Sequence, residues 1–161
     1  MPADIRAKLS DQENLLPDHH ENIDNFVEEL NFYESQFKPI GIKMHQYNVE
    51  TSAGTRKFAI YKANISYCEN LQEYHKRVQV FLLWFVDAAS YIDDDDDRWD
   101  FYFLFELLEG DRYALAGYAT VYNFFAYPDH IRPRISQILV LPPFQRMGKF
   151  LKNVFSLRSN F

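Results

Sequence analysis

RISQILVLPPFQRMG, residues 134–148, reads as a strand, a tight turn and the start of a helix, in that order. Ile135, Ile138, Leu139, Val140 and Leu141 form an apolar run that stops at Pro142-Pro143. A Gln-x-x-Gly turn, Gln145 to Gly148, then leads into a helical pattern. The first turn of a helix leaves backbone N–H groups without intrahelical acceptors, and a strand–turn–helix corner aims them outward as an anion cradle. A phosphate bound there gains about 0.3–1 kcal/mol from the helix-terminus field, and up to ~2 kcal/mol when partly buried. Arg146 and Lys149 can add charge-assisted hydrogen bonds. An ordinary strand-to-helix corner accounts for the same spacing and is the reading these residues alone favour.

Upstream of this corner, residues 112–125 and 100–108 read as two aromatic-rich strands across Glu109-Gly110-Asp111, a short hairpin turn. Tyr127-Pro128-Asp129 is a loop, and 134–141 the last strand. Residues 71–92 give the strongest helix. Leu71, Tyr74, Val78, Phe81, Leu82, Phe85 and Ala89 share one side, and no glycine or proline interrupts them. Residues 40–49 and 57–65 read as strands around a hairpin-like loop, 51–55, with Phe58, Ile60 and Lys62 alternating against Ala59, Tyr61 and Ala63. A first helix carries Ile23, Phe26, Val27, Leu30, Tyr33 and Phe37, with Asn22 or Asp24 as its cap and Pro39 as its stop. Residues 1–21 lack periodicity and read as a loose leader to one domain, 22–161. Runs of strands around one long central helix predict an α+β fold on a mainly antiparallel sheet.

At 161 residues the chain can bury roughly 70% of its unfolded surface. A hydrophobic content of 47%, with 15 Phe and 11 Tyr, excludes a disordered tail. The net charge of −6 argues against a nucleic-acid-binding module, which needs a basic face, and suits a basic partner. Cys68 is the single cysteine, so no internal disulfide forms. The N-terminus has no signal-peptide pattern, and the longest apolar run, 78–89, is broken by Gln79 and Asp87 and too short to span a bilayer. The expectation is an intracellular, soluble protein. Asn64-Ile65-Ser66 matches a glycosylation sequon, a pattern frequent by chance.

Five consecutive aspartates, 93–97, sit with Asp100 around Arg98 and Trp99. A calcium loop of the EF-hand type needs glycine at its sixth position and a carboxylate at its twelfth, and here those are Arg98 and Leu104. Placed at the C-terminal end of the 71–92 helix, the acids would face the unfavourable pole of its dipole. They read either as a solvated loop or as an acidic ring around an exposed Trp99, docking a basic peptide by Coulomb attraction and cation–π contact. His19, His20, His45, His75 and His130 show no metal-ligand spacing, and His75 reads as a helix-surface or packing residue. Ser136 lies mid-strand rather than on an elbow, and neither a Walker loop nor G-x-G-x-x-G occurs.

Phe37-Lys38-Pro39-Ile40-Gly41, Ile60-Tyr61-Lys62-Ala63, Glu73-Tyr74-His75-Lys76-Arg77, Ala89-Ser90-Tyr91-Ile92-Asp93, Asp97-Arg98-Trp99, Thr120-Val121-Tyr122-Asn123, Tyr127-Pro128-Asp129, Arg132-Pro133-Arg134 and Ser136-Gln137 closely resemble the type B histone acetyltransferase family. The likeness runs from about residue 22 to 145 and places the chain in the GNAT acetyltransferase superfamily. It implies an acetyl-CoA-dependent enzyme that acetylates lysines near the amino terminus of newly made histones, in nucleus and cytoplasm. It implies no metal, no direct nucleic-acid contact and no membrane, and it admits a β-propeller histone chaperone as a further partner. By the same resemblance, backbone groups of Ile138, Leu139 and Val140 hold the acetyl and pantetheine parts of the co-substrate. Gln145, Arg146, Met147, Gly148, Lys149, Phe150 and Leu151 receive its pyrophosphate. Trp99, Tyr122, Asn123 and Phe124 line the histone-tail groove.

Two departures stand out. Arg146 replaces a glycine of the family's pyrophosphate motif, and Phe150 stands where its last small residue belongs, obstructing close approach of phosphate. The likeness fades after Gln145, and the family's next strand, general-base glutamate and C-terminal helical region have no counterpart. The expectation is therefore an incomplete GNAT fold with no assigned catalytic residue, because a missing base costs about 10²–10⁴-fold. The alternative from another class is a non-catalytic, acidic histone-tail-binding fragment.

Overall fold

The computed structural model describes residues 23–52, 54–87, 89–93 and 95–147. Its strands are β1 (Ile42–Thr51), β2 (Gly54–Ala63), β3 (Trp99–Leu107), β4 (Tyr113–Ala126) and β5 (His130–Val140). Its α-helices are α1 (Ile23–Gln36) and α2 (Leu71–Phe85). The strands pair in sequence order, every neighbour antiparallel, with α2 carried in the connection from β2 to β3.

The middle of the sheet follows from β3. Its Phe101, Phe103 and Phe105 point to one face and Tyr102 and Leu104 to the other, and all five are buried. A strand apolar on both sides is stable only with both faces covered. On the first face lies α2, whose Leu71, His75, Val78, Gln79 and Leu82 recur at helical spacing and are its buried residues. There they meet Ala59, Tyr61, Ala63, Tyr118 and Leu139 from the sheet. The second face gathers Val49, Phe58, Ile60, Tyr102, Leu104, Ala119 and Val121, with Phe144 and Met147 packed against them.

The α+β, antiparallel expectation holds, but the long central helix does not. The helix α2 has 15 residues and ends at Phe85, where Val86 takes extended backbone, φ −125° and ψ 115°. Ala89 and Ile92, read as the helix's last turns, instead pack beside the core from an irregular segment outside the helix. Gln137 Nε2 holds that segment by donating to the Ser90 carbonyl at 2.8 Å. A hydrogen bond to β5 and two apolar contacts outweigh a local helical preference worth only tenths of a kcal/mol per residue.

Other boundaries shift for visible reasons. The β1–β2 turn is tighter than the five-residue loop, because Gly54 takes φ +120° and its carbonyl accepts from Thr51 Oγ1 at 2.7 Å. Gly41, at φ +95°, must be glycine, since a Cβ there would overlap the Lys62 carbonyl oxygen. Tyr127-Pro128-Asp129 is the β4–β5 hairpin turn rather than a free loop, so β5 starts at His130 and includes Pro133. A proline is tolerated there because β5 is an edge strand among the described residues. The first helix spans its expected range, but Ile23, Val27 and Tyr33 of its apolar stripe are exposed. Phe37 just beyond it stacks on Tyr74 at 5.8 Å. The 1–21 leader and the Asn22 cap lie outside the described residues.

Candidate functional site

The C-terminal end of β5 forms a corner with one unpaired edge. Gly117 on β4 faces Val140, and a Cβ on Gly117 would sit 2.5 Å from the Leu139 carbonyl oxygen. That carbonyl therefore points at β4, as does the Leu141 N–H, which donates to Ala116 at 2.9 Å. Peptide groups alternate along a strand, so those of Ile138 and Val140 point the other way, to an edge that no described strand covers. Gln145 Nε2 reaches back to that edge and donates to the Val140 carbonyl at 2.9 Å. Leu139, by contrast, is buried on the α2 face.

A 3-10 turn, Pro142–Phe144, then folds the chain back over the second face. The Phe144 ring meets Phe58 of β2 edge-on at 6.3 Å. Arg56 of β2 lies 5.5 Å from the Phe58 ring centroid and 5.1 Å from that of Phe144. Its guanidinium bonds both carboxylate oxygens of Glu106, the Nη2–Oε2 distance being 2.7 Å, and this hydrogen bonding raises the Arg56 pKa. The backbone of Arg146 is left-handed, φ +63°, a conformation that costs a side-chain-bearing residue roughly 1–2 kcal/mol and glycine nothing. Arg146 therefore bends the chain in a conformation that glycine adopts without strain. The structure thus brings Ile138, Leu139, Val140, Gln145, Arg146 and Met147 into one corner; Gly148, Lys149, Phe150 and Leu151 lie outside the described residues.

At the other end of the paired β3–β4 stretch, Trp99 faces Tyr122, their rings 4.8 Å apart, and Tyr122 touches Phe124 at 4.6 Å. Two of the protein's own arginines already cover this ladder: Arg98 lies 5.0 Å from the Tyr122 centroid and Arg134 5.3 Å from that of Phe124. Asn123 does not join them. Its amide donates to Asp100 at 2.8 Å on the opposite face of the sheet, beside Tyr102 and Val121.

The acidic ring is smaller than its sequence. Trp99 is half-buried rather than exposed. Asp100 is buried, ion-paired with Lys62 at 3.0 Å and bonded by Asn64 as well as Asn123. Asp96 accepts from Arg98 Nη2 at 2.6 Å and from the Tyr122 hydroxyl at 3.0 Å. The Arg98 hydrogen bonds hold its carboxyl well below the usual carboxylate range. Gln72 donates to Asp95, and among the described aspartates of this run Asp93, Asp95 and Asp97 are exposed, Asp93 accepting the Asp95 N–H at 3.3 Å. Because α2 ends at Phe85, these acids do not sit at a helix pole, and that expected cost disappears.

Asn64, read only as part of a sequon, organises this corner. Its Nδ2 donates to the carbonyls of Asp97 and Trp99 at 2.7 and 2.8 Å, while its Oδ1 accepts from the backbone and hydroxyl of Ser66. An amide so engaged and buried offers no attachment point for a glycan. His75 is fully buried against Phe101 and Tyr118, a packing residue. Among the described residues no cluster of His, Cys, Asp and Glu could hold a metal, and no helix is long and apolar enough to cross a membrane. Sequence reading missed the arginine caps and the Arg56–Glu106 clamp, which become visible only once the strand register is known.

Comparison with known proteins agrees with this architecture's ancestry. Residues 1–87 match the family model described as the N-terminus of the histone acetyl transferase HAT1, a stretch that includes the residues read as a leader. Over 150 residues the chain is 41% identical to the histone acetyltransferase type B catalytic subunit of Rattus norvegicus, and equally to that of Homo sapiens. Each alignment covers 90% of this chain and 35% of the relative. A Dictyostelium discoideum protein of the same description is 43% identical over 135 residues, 80% of this chain and 28% of its own length. The class these matches define is the histone acetyltransferases. Within it, the chain belongs to the family of type B catalytic subunits. It spans about a third of the length of the curated relatives it matches.

Proposed function

We propose that the chain supplies the acetyl-CoA edge and part of the histone-tail groove of a GNAT-type lysine acetyltransferase acting on newly made histones. The observation that carries this reading is the outward-facing backbone of Ile138 and Val140, running directly into a turn bent at Arg146. An unpaired strand edge suits an amide-rich pantetheine arm, which adds to it much as a strand would. The co-substrate, when bound, supplies an acyl carbonyl activated as a thioester.

The chain's residues then act as follows. The Val140 and Ile138 N–H groups hold the pantetheine and the acetyl carbonyl in place. As a deprotonated lysine attacks, the carbonyl oxygen gains charge, and one preorganised donor is worth about 10²–10³-fold in rate. Residues Gln145 to Leu151 take the pyrophosphate. Trp99, Tyr122 and Phe124 hold the tail, with Asp93 and Asp97 attracting its basic residues. Tyr122 pairs with Arg134, and roughly 20 Å of β5 separate that pair from Val140 at 3.3 Å per residue. A tail bound at the aromatic corner therefore reaches the thioester as an extended segment of about six residues. The family's β-propeller chaperone and its nuclear and cytoplasmic compartments belong to the same reading. The domain that performs these steps is taken to be 22–161.

Titration calorimetry with acetyl-CoA and with a lysine-rich histone-tail peptide tests this reading. Binding of both is the expected result. Salt-sensitive binding of the tail without any binding of acetyl-CoA would instead make the chain a docking module, the reading that the exposed Asp93 and Asp97 favour.

A further inference from the structure

Arg56 makes contacts out of proportion to a residue near a hairpin turn. Glu106 takes the Nε–Nη2 edge of its guanidinium in a two-point fork, and the two side chains keep only 28% and 11% of their exposure. The flat face and the remaining corner of the group are then turned to the chain that follows β5. The Phe144 ring lies 5.1 Å away, and Met147 Sδ is 3.9 Å from Nη1. In sequence these contacts join residue 56 to residues 144 and 147. In space they join β2 to a turn that leaves β5, three strands across the sheet.

Beyond the Leu141 N–H bond to Ala116, which ties the root of the turn to β4, the other hydrogen bonds that shape it are local. Phe144 N–H donates to Leu141, Gln145 N–H to Pro142, and the Gln145 side chain to Val140. They bend the chain, but they do not fix where the bent chain lies on the sheet. Apolar packing of Phe144 and Met147 on the second face supplies attraction without direction. A guanidinium held by a carboxylate fork and stacked on a ring supplies direction, because its plane is fixed by Glu106. Its charge is matched by Glu106, so it acts through the turn rather than as a phosphate-binding cation.

We propose that Arg56 is a positioning residue for the pyrophosphate turn: clamped by Glu106, it pins Phe144 and Met147 over β2 and sets the angle at which Gln145–Met147 approach the co-substrate. This rests on the acetyl-CoA reading above.

Three variants of the full chain test it: Arg56→Met, which keeps the stem and loses the fork; Arg56→Lys, which keeps the charge; and Glu106→Gln, which loosens the clamp. Coenzyme A binding is measured by calorimetry, S-acetylpantetheine binding by NMR titration, and amide exchange is followed in 142–147 and in 101–105. The Arg56→Met variant should bind coenzyme A about tenfold more weakly, the scale of a partly buried cation–π contact. S-acetylpantetheine, which lacks the pyrophosphate, should bind it as it binds the wild type. Exchange should rise in 142–147 and not in 101–105. Glu106→Gln should follow in the same direction, and Arg56→Lys should not restore affinity. The proposal is overturned if Arg56→Met binds coenzyme A as the wild type does, or if Arg56→Lys restores it fully. It is also overturned if both ligands weaken together while exchange rises in 101–105, which marks a general loss of fold. A wild-type chain that binds neither ligand defeats the acetyl-CoA reading; unchanged exchange of 142–147 in Arg56→Met then defeats the positioning role separately, and a rise confined to that turn upholds it.

Discussion

Asp96 and Tyr122 are joined by a 3.0 Å hydrogen bond from the phenol to the carboxylate, and Arg98 closes the group by bonding Asp96 and lying over the Tyr122 ring. A loop of aspartates is thereby tied to β4 beside Trp99. The depressed Asp96 pKa fixes the sign of its pH dependence. Its stabilising effect is fully present above the unfolded carboxylate value, about 3.9, and is lost as pH falls through the lower folded value. Trp99 fluorescence should stay constant from pH 7 to about 4 and change only below that. Asp96→Asn should show the altered signal already at pH 7. A titration of Trp99 fluorescence centred between about pH 5 and 6 in the wild type would contradict this.

The same arginine competes with any incoming cation for the Tyr122 ring. Arg98→Ala should uncover the ring and release the Asp96 carboxylate, strengthening binding of a lysine-rich tail peptide about fivefold at low salt. Calorimetry at two salt concentrations checks it. Weaker binding by the variant would remove the tail from this corner.

Much of this architecture was legible in the sequence. The aromatic-rich run 100–108 and the alternation of Phe58, Ile60 and Lys62 against Ala59, Tyr61 and Ala63 identified the central strands, because a pleated strand sends alternate residues to each face. The extent of α2 was not legible: the residues after Phe85 favour helix locally, and the Gln137 bond to Ser90, 47 positions away, together with the packing of Ala89 and Ile92, holds them out of it. The tail-groove residues were legible as a group but not by face. Trp99, Tyr122 and Phe124 share one side, while Asn123 turns to Asp100 on the other. Bulges add to the difficulty, since the pairing shifts register at Leu104/Phe105 and again at Thr120/Val121. The Arg56 clamp has no local signature at all.

Phe103 is fully buried, its ring 5.1 Å from Tyr74 and 6.3 Å from Tyr118. Phe103→Ala should destabilise the chain by about 3–5 kcal/mol, read as a lower midpoint in urea. Tyr127→Ser, at a side chain 90% exposed on the hairpin tip, should stay within about 0.5 kcal/mol of wild type.

Gly117 permits the close approach of β4 to the end of β5. Gly117→Ala places a methyl group 2.5 Å from the Leu139 carbonyl oxygen and should cost about 1–3 kcal/mol. Amide exchange should quicken at Leu139 and Leu141, whose peptide groups face β4. Arg146→Gly, in contrast, removes left-handed strain and should stabilise the chain by a net ~0.5 kcal/mol once the greater unfolded-state entropy of glycine is subtracted. A thermal melt of the two variants should move in opposite directions.

The central claim is that the unpaired edge of β5 receives acetyl-CoA. Titrating the isotopically labelled chain with acetyl-CoA and following each backbone amide by NMR tests it at the residues concerned. The amides of Ile138, Val140, Gln145, Arg146 and Met147 should move most, with smaller changes at Leu139, whose peptide group faces β4. Saturating shifts elsewhere on the sheet, or no shift anywhere in 138–147 at millimolar acetyl-CoA, would contradict the account.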